Sequence, residues 1–500
     1  MTDPTRLAAG EHRAETTGDD WVAPLPGSWL RNFRLGEWLP EPITPLFETW
    51  LLERIESSCF TGMTTAGLTT HVTVNGYYFH SPGGPRQLLQ LGRQHPFKLL
   101  VNFGLVRSRP DLVDRWIIAP AARDWELVLL PQYRQLVEDG WTNLEAFSPV
   151  ELLGVIDEVA DAAGRYFGSI TKVAGFAWKA EWALARFYRK HLSERLGGSH
   201  QVLLAGIGAA PRVAPDHAVY SLDWVRPTLG EVRVPTTGAT ATSTSRLAAL
   251  AGAREQFELA CREVLTAHRR RARAFERLLD VSRRAATRRE AQVADFTLGW
   301  PFMRAVVIRL GTLGVEAGVV AAPEDVFFLT RAELTEIARG TKADHRAHVA
   351  RRRLEWQRRA ALTPPPHLGP AAQAERIAAR WSGTRAPNDE QTEVLAVTGI
   401  PASPGRATGP ARILRCADDF DSLHEGDVLV APLTTPAWTP LFNLAAAIVI
   451  EGGTVLAHAS MVAREFGLPA VVSAHAATSL LLDGELVTVD GSTGAVTRRS

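Results

Sequence analysis

A mainly α-helical region followed by a smaller C-terminal α/β module is the fold class that the sequence predicts, and three observations predict it. Apolar residues recur at three- and four-residue spacing from about 21 to 356. A stretch rich in proline, glycine and alanine at 363–392 interrupts that period. Beyond about 393 the pattern changes to short β-branched runs separated by turn residues. At 500 residues the chain is long enough for several domains with sizeable cores. The expected division is a disordered tail at 1–20, a helical domain at 21–362, a linker at 363–395 and an α/β domain at 396–500.

Taken in order, residues 1–20 are polar and poor in large apolar side chains, as a disordered tail is. Pro42 and Pro45 precede Trp50-Leu51-Leu52-Glu53-Arg54-Ile55, an entry that suits a helix start. Leu152 to Tyr188, Gln256 to Leu279 and Trp300 to Leu313 read as packed amphipathic helices. Thr330-Arg331-Ala332-Glu333 is a capping box that starts another short helix at 331. The Gly-, Pro- and Thr-rich stretch at about 226–245 reads as a loop. Thr363-Pro364-Pro365-Pro366 stiffens the start of the linker. Val428-Leu429-Val430, Ala447-Ile448-Val449-Ile450, Ala470-Val471-Val472 and Leu486-Val487-Thr488-Val489 read as strands, and 458–466 as one helix between two of them. Asp490-Gly491 and Thr493-Gly494 are turn signals.

Composition narrows the function classes. The formal net charge of +1 gives no electrostatic reason to expect nucleic acid or an acidic membrane as partner. No stretch approaches the roughly 18–20 apolar residues that span a bilayer, and the N-terminus lacks the order of a signal peptide. Cys59, Cys261 and Cys416 fit neither a disulfide framework nor a zinc spacing. The expectation is a cytoplasmic protein. His71, His80, His345 and His348 form no metal set, and no metal site is predicted. His268-Arg269-Arg270-Arg271 and Arg351-Arg352-Arg353 read as solvated helix faces, and the 14 tryptophans as packing that could include an aromatic-lined pocket.

The stretch 450–472 carries the chemistry. It reads as a buried strand, the glycine pair Gly452-Gly453, a short loop with Thr454, then His458 at the start of a helix closed by Gly467 and Pro469. Free backbone N–H groups and the dipole at a helix N-terminus favour an anion by about 0.3–1 kcal/mol each at an exposed site. The same field lowers the imidazole pKa and leaves a neutral ring with a nucleophilic nitrogen. A phosphoryl group on that nitrogen would sit in an anion-binding cup. The plain alternative is that His458 only caps or packs.

These residues resemble the mobile, swivelling phosphohistidine domain of the phosphoenolpyruvate-utilising enzymes, a β/β/α unit found in pyruvate phosphate dikinase, phosphoenolpyruvate synthase and rifampin phosphotransferase. Gly452, Gly453, His458, Val462, Ala463, Arg464, Gly467, Pro469, Ala470 and Val471 match its pattern, and Gly399-Ile400-Pro401-Ala402-Ser403-Pro404-Gly405 and Pro436-Ala437-Trp438-Thr439-Pro440 also look like it. The resemblance implies that His458 is phosphorylated, with Gly452, Gly453, Thr454 and Arg464 supporting the phosphate loop. Ala457 stands where the family usually has Ser or Thr. Arg464 lies about 120° around the helix from His458, so an ion pair is an alternative to phosphate contact.

Glu37-Trp38-Leu39-Pro40-Glu41-Pro42-Ile43-Thr44-Pro45-Leu46-Phe47, Asn102-Phe103-Gly104 and Pro323 to Thr330 resemble the substrate-binding domain of rifampin phosphotransferase and its relatives. That domain carries an Arg-Glu-x-x-Lys/Arg element, matched here by Arg289 and Glu290, with Val293 in place of the second cation. The resemblance implies catalytic roles for Arg289 and Glu290; a solvated helix face is the alternative for Arg289. No Walker-type loop or ATP-grasp-like region occurs in these 500 residues. ATP and Mg²⁺ are therefore expected on a separate ATP-grasp subunit. The expected function is transfer of a phosphoryl group from that partner, through His458, to a small organic substrate such as a natural product or antibiotic. Such transfer could drive a condensation or dehydration. The rival expectation is a degenerate, non-catalytic small-molecule-binding protein.

Overall fold

A computed structural model describes residues 21–24, 27–31, 34–60, 70–81, 93, 104–207, 216–232, 241–370, 394–453 and 457–499. The expected tail at 1–20, most of the expected linker, Asn102, Phe103 and Thr454 lie outside them.

The helical part is organised on one long helix. Helix α1 (Glu53–Phe60) packs on α2 (Pro149–His191), and so does α4 (Arg269–Ala294), which follows α3 (Ala241–Leu265). Helices α5 (Trp300–Glu316) and α6 (Arg331–Ala338) complete the same core. Leu152 to Tyr188 thus lies within a single helix of 43 residues rather than several. Pro149 sits at its first position, the Ser148 hydroxyl accepts from Glu151 N, and Ser148 N donates to the Glu151 carboxylate at 2.7 Å. These reciprocal bonds satisfy N–H groups that a helix start otherwise leaves without partners. The predicted box at Thr330 forms in the same way, with Glu333 at the third position.

Three expectations change. Gln256 to Leu279 is broken at 266–268 into α3 and α4; both helices bury apolar residues in one cluster around Cys261, Leu265, Phe275 and Leu279, so the apolar period runs through the turn. The stretch at 226–245 contains a helical turn at Leu229–Val232 and the first residues of α3, while 233–240 lie outside the described residues. Within the region read as helical there is also a small antiparallel sheet in the order β2-β3-β1-β4, made of β1 (Trp29–Leu30), β2 (Thr70–Val74), β3 (Tyr77–Ser81) and β4 (His367–Leu368). Asn75 and Gly76 join β2 to β3 at φ values of 50° and 78°, the left-handed turn that matches strand twist. Strand β4 lies inside the expected linker, and its pairing with Trp29 and Leu30 ties 367–368 to the helical part.

The C-terminal module is an eight-stranded sheet formed by β5 (Val394–Thr398), β6 (Ile400–Ser403), β7 (Arg406–Ile413), β8 (Val428–Ala431), β9 (Ala447–Ile450), β10 (Ala470–Val472), β11 (Leu486–Asp490) and β12 (Ala495–Arg498). Its order is β5-β12-β11-β7-β8-β9-β10-β6, with β7 to β10 parallel. Strand alternation sends Val428, Val430, Ala447 and Val449 to one core and Leu429, Ala431, Ile448 and Ile450 to the other. The second core is covered by α7 (His458–Phe466) and Trp438. Ala218, Tyr220 and Leu229 from the helical part are built into it, so the two parts share apolar contacts.

Helix α7 ends at Gly467, which has φ 62°; Gly467 N and Leu468 N donate to Arg464 O and Ala463 O, as a left-handed cap requires. A Cβ at Gly467 would also lie 2.4 Å from Cδ1 of Leu250 on α3. Gly467→Ala is therefore expected to lower stability by about 1–2 kcal/mol from the left-handed backbone alone, and by more from the clash. In a thermal-unfolding double-mutant cycle, Leu250→Ala should recover the clash component, so the double variant is less destabilised than the sum of the single ones.

Candidate functional site

His458 is the first residue of α7, and the residue before it, Ala457, is extended at φ −63°, ψ 153° with no side-chain cap. The cap comes from the helical part instead: His458 N donates to Glu37 Oε2 at 3.4 Å, across 421 residues of sequence. Nε2 of the His458 ring lies 3.5 Å from the Thr439 hydroxyl. Burial holds the ring pKa below its ordinary value; Glu290 pulls it upward and Arg289 adds to the lowering. Near neutral pH the ring is uncharged, and one nitrogen keeps a lone pair that can act as a nucleophile.

The ring faces a cleft of about 270 Å³, including the part open to solvent, walled by Glu37, Thr434, Gly452, Gly453 and His458 over apolar Ile450. The glycine pair is pinned by β10 and its exit: Ser473 N donates to Gly452 O and the Ser473 hydroxyl to Gly453 O. Gly453 has φ 85°, which favours glycine.

Below the cleft, charges from both parts are buried together. Arg289 on α4 donates through Nε to Glu290 at 2.7 Å and through Nη2 to Glu465 of α7 at 3.4 Å. Arg464 donates to Ala402 O and lies 3.7 Å from Glu181 on α2, which also meets His200 at 3.6 Å. Burial would raise the Glu181 pKa, but Arg464 and His200 outweigh it and bring it to about 2. Burial and the neighbouring Glu290 push Glu465 well above the ordinary carboxylate value, against Arg289. Burial likewise raises Glu37 to about 7, opposed by the His458 N–H and Arg289.

Residues 423–494 match the family described as PEP-utilising enzyme, mobile domain. The C-terminal module thus carries the match to a PEP-utilising mobile domain. Over 199 residues, 39% of this chain and 23% of the relative, the chain is 38% identical to an uncharacterized phosphotransferase of Bacillus subtilis strain 168. It is 30% identical over 226 residues to the rifampicin phosphotransferase of the same strain, covering 45% of this chain and 25% of that one. With the chondramide synthase of Chondromyces crocatus it shares 37% identity over 190 residues, 35% of this chain and 5% of the synthase. The matched part spans a quarter or less of the length of each of these relatives.

The structure brings Gly452, Gly453 and His458 of the mobile domain to one cleft, with Arg289 and Glu290 close enough to act on the His458 charge. Arg464 points away to Ala402 and Glu181, in the ion-pair arrangement that its helical position allows. Val293 packs against the helical core. Sequence reasoning missed Glu37, Thr439, Glu181 and Glu465 as site residues. Glu37 and Thr439 lay inside segments singled out for resemblance, yet nothing local marked either as a neighbour of His458.

Because the folded-state pKa of Glu37 is raised, its contribution to stability is present below the unfolded value of 4.5 and is lost as pH rises through about 7. Glu37→Gln is therefore expected to flatten the decline in Tm over that window. A Tm–pH profile unchanged from wild type would contradict the assignment.

Proposed function

We propose that this chain is the carrier and acceptor-binding part of a phosphotransferase. A separate ATP-grasp subunit, holding ATP and Mg²⁺, phosphorylates His458. The mobile domain then returns to the helical domain, turning on the chain at 363–395, and the phosphoryl group passes to an organic substrate held there. The product is a phosphate ester, which either leaves as such or departs as phosphate in a condensation or dehydration. The observation that carries this reading is the position of His458: an uncharged imidazole at a helix N-terminus, bordering a cleft that Glu37 of the helical part also lines. Arg289, buried behind the cleft, supplies positive charge of the kind that stabilises a transferring phosphoryl group. The relatives that are phosphotransferases by name support the reaction class.

A second reading, a non-catalytic small-molecule-binding protein, is favoured by Ala457 and by Val293, whose side chain fills a place in the helical core rather than presenting a cation. Intact-protein mass spectrometry at alkaline pH, where phosphohistidine survives, separates the two. With ATP, Mg²⁺ and an active ATP-grasp partner, the wild type is expected to gain the mass of one phosphoryl group and His458→Ala to gain none. No gain in wild type would establish the second reading.

A further inference from the structure

Glu37 has no chemical role in the phosphohistidine reading as stated, yet among the described residues it is the acidic group lining the cleft, and it comes from the helical part. We propose that the Glu37 carboxylate is the general base of the transfer step and that the acceptor is an alcohol; this rests on His458 being the phosphoryl carrier. The carboxylate reaches across the junction to within 3.4 Å of His458 N, the atom next to which the phosphoryl oxygens would lie. It borders the same cleft as the imidazole, with Leu433, Ile450 and Val472 as apolar neighbours. The groups acting on its charge are the His458 N–H from α7 and Arg289 from α4. A base buried in this way titrates near neutrality, where it can both accept a proton from a hydroxyl and release it.

The charge of Glu37 also selects the acceptor. A carboxylate or phosphate acceptor is nucleophilic without a base and would be repelled by Glu37 and by the phosphoryl group. A neutral hydroxyl is repelled by neither and becomes nucleophilic only as its proton leaves. In the step, the acceptor oxygen forms a bond to phosphorus while the bond from phosphorus to the ring nitrogen breaks. The electron pair of that bond stays on the nitrogen, and the ring, carrying a proton on its other nitrogen, leaves as neutral imidazole. The hydroxyl proton passes to Glu37. The His458 N–H, which the carboxylate accepts from in the unphosphorylated chain, is then free to donate to a phosphoryl oxygen.

The test uses the full chain loaded chemically with phosphoramidate, so that no partner is needed, with glycerol as the probe alcohol. ³¹P NMR follows phospho-His458, glycerol phosphate and inorganic phosphate in wild type, Glu37→Gln, Glu37→Asp and His458→Ala. Wild type and both Glu37 variants are expected to load. Transfer to glycerol and water is then expected to fall by about 100-fold in Glu37→Gln, and by less in Glu37→Asp, which keeps a base one methylene further back. Unfolding curves like that of wild type show that the loss is not one of fold. Transfer by Glu37→Gln at the wild-type rate or faster would overturn the proposal. Failure of wild type to load above His458→Ala would instead overturn the carrier reading, and this proposal with it.

Discussion

The position of His458 depends on buried charges that cross between the two parts of the molecule. Arg289 belongs to α4 and Glu465 to α7; Glu181 belongs to α2 and Arg464 to α7. Burying such groups costs several kcal/mol per ion unless they are paired, so they act less as net stabilisers than as a filter on geometry. Only a placement of α7 that pairs them is tolerated. Glu465 lies seven residues after His458, nearly two helical turns, so the two share a face of α7. Arg289, gripping the lower end of that face, sets the direction of the upper end. Apolar contacts from Tyr220 and Leu250 bring the surfaces together, and the ion pairs choose the register.

The same constraint gives meaning to Ala457. A serine or threonine before the histidine would cap α7 from within the mobile domain. With alanine there, the first N–H of the helix is met by Glu37 of the helical part. The cap therefore exists only while the two parts are in contact, and it is made by a carboxylate that burial has already brought close to neutrality. If the mobile domain swings as proposed, its docking is linked to the protonation of Glu37, which is easier to bury as a neutral acid.

Much of the fold was legible from local pattern. The apolar strands of the mobile domain, the helix at 458–466 and the capping box at Thr330 were each announced by residues within a few positions of one another. Asn75-Gly76 was an equally local hairpin signal, with alternating residues on both sides, but it was overlooked inside a region read as helical. The break between α3 and α4 was hidden for a different reason: two helices that bury one face in the same cluster preserve the period through the turn. His458 was visible because its glycines, its helix start and its helix stop are contiguous. Glu37, Glu181 and Thr439 were not, because what makes them site residues is proximity created by the docking of distant segments. A carboxylate gives no sign in sequence of whether it will be solvated or buried against a partner.

The account stands on a docked arrangement held by buried, proton-sensitive charges. Its most direct test is the distance distribution between spin labels on exposed Leu354 of the helical part and exposed Leu482 of the mobile domain. Cys416 would be changed to Ser to keep labelling specific, since Cys59 and Cys261 are buried. Pulsed electron–electron resonance should show one narrow distance near pH ~5, broadening towards pH ~8 as Glu37 ionises, and broad at both pH values in Arg289→Leu. One narrow distance throughout, unchanged by pH and by Arg289→Leu, would contradict the account.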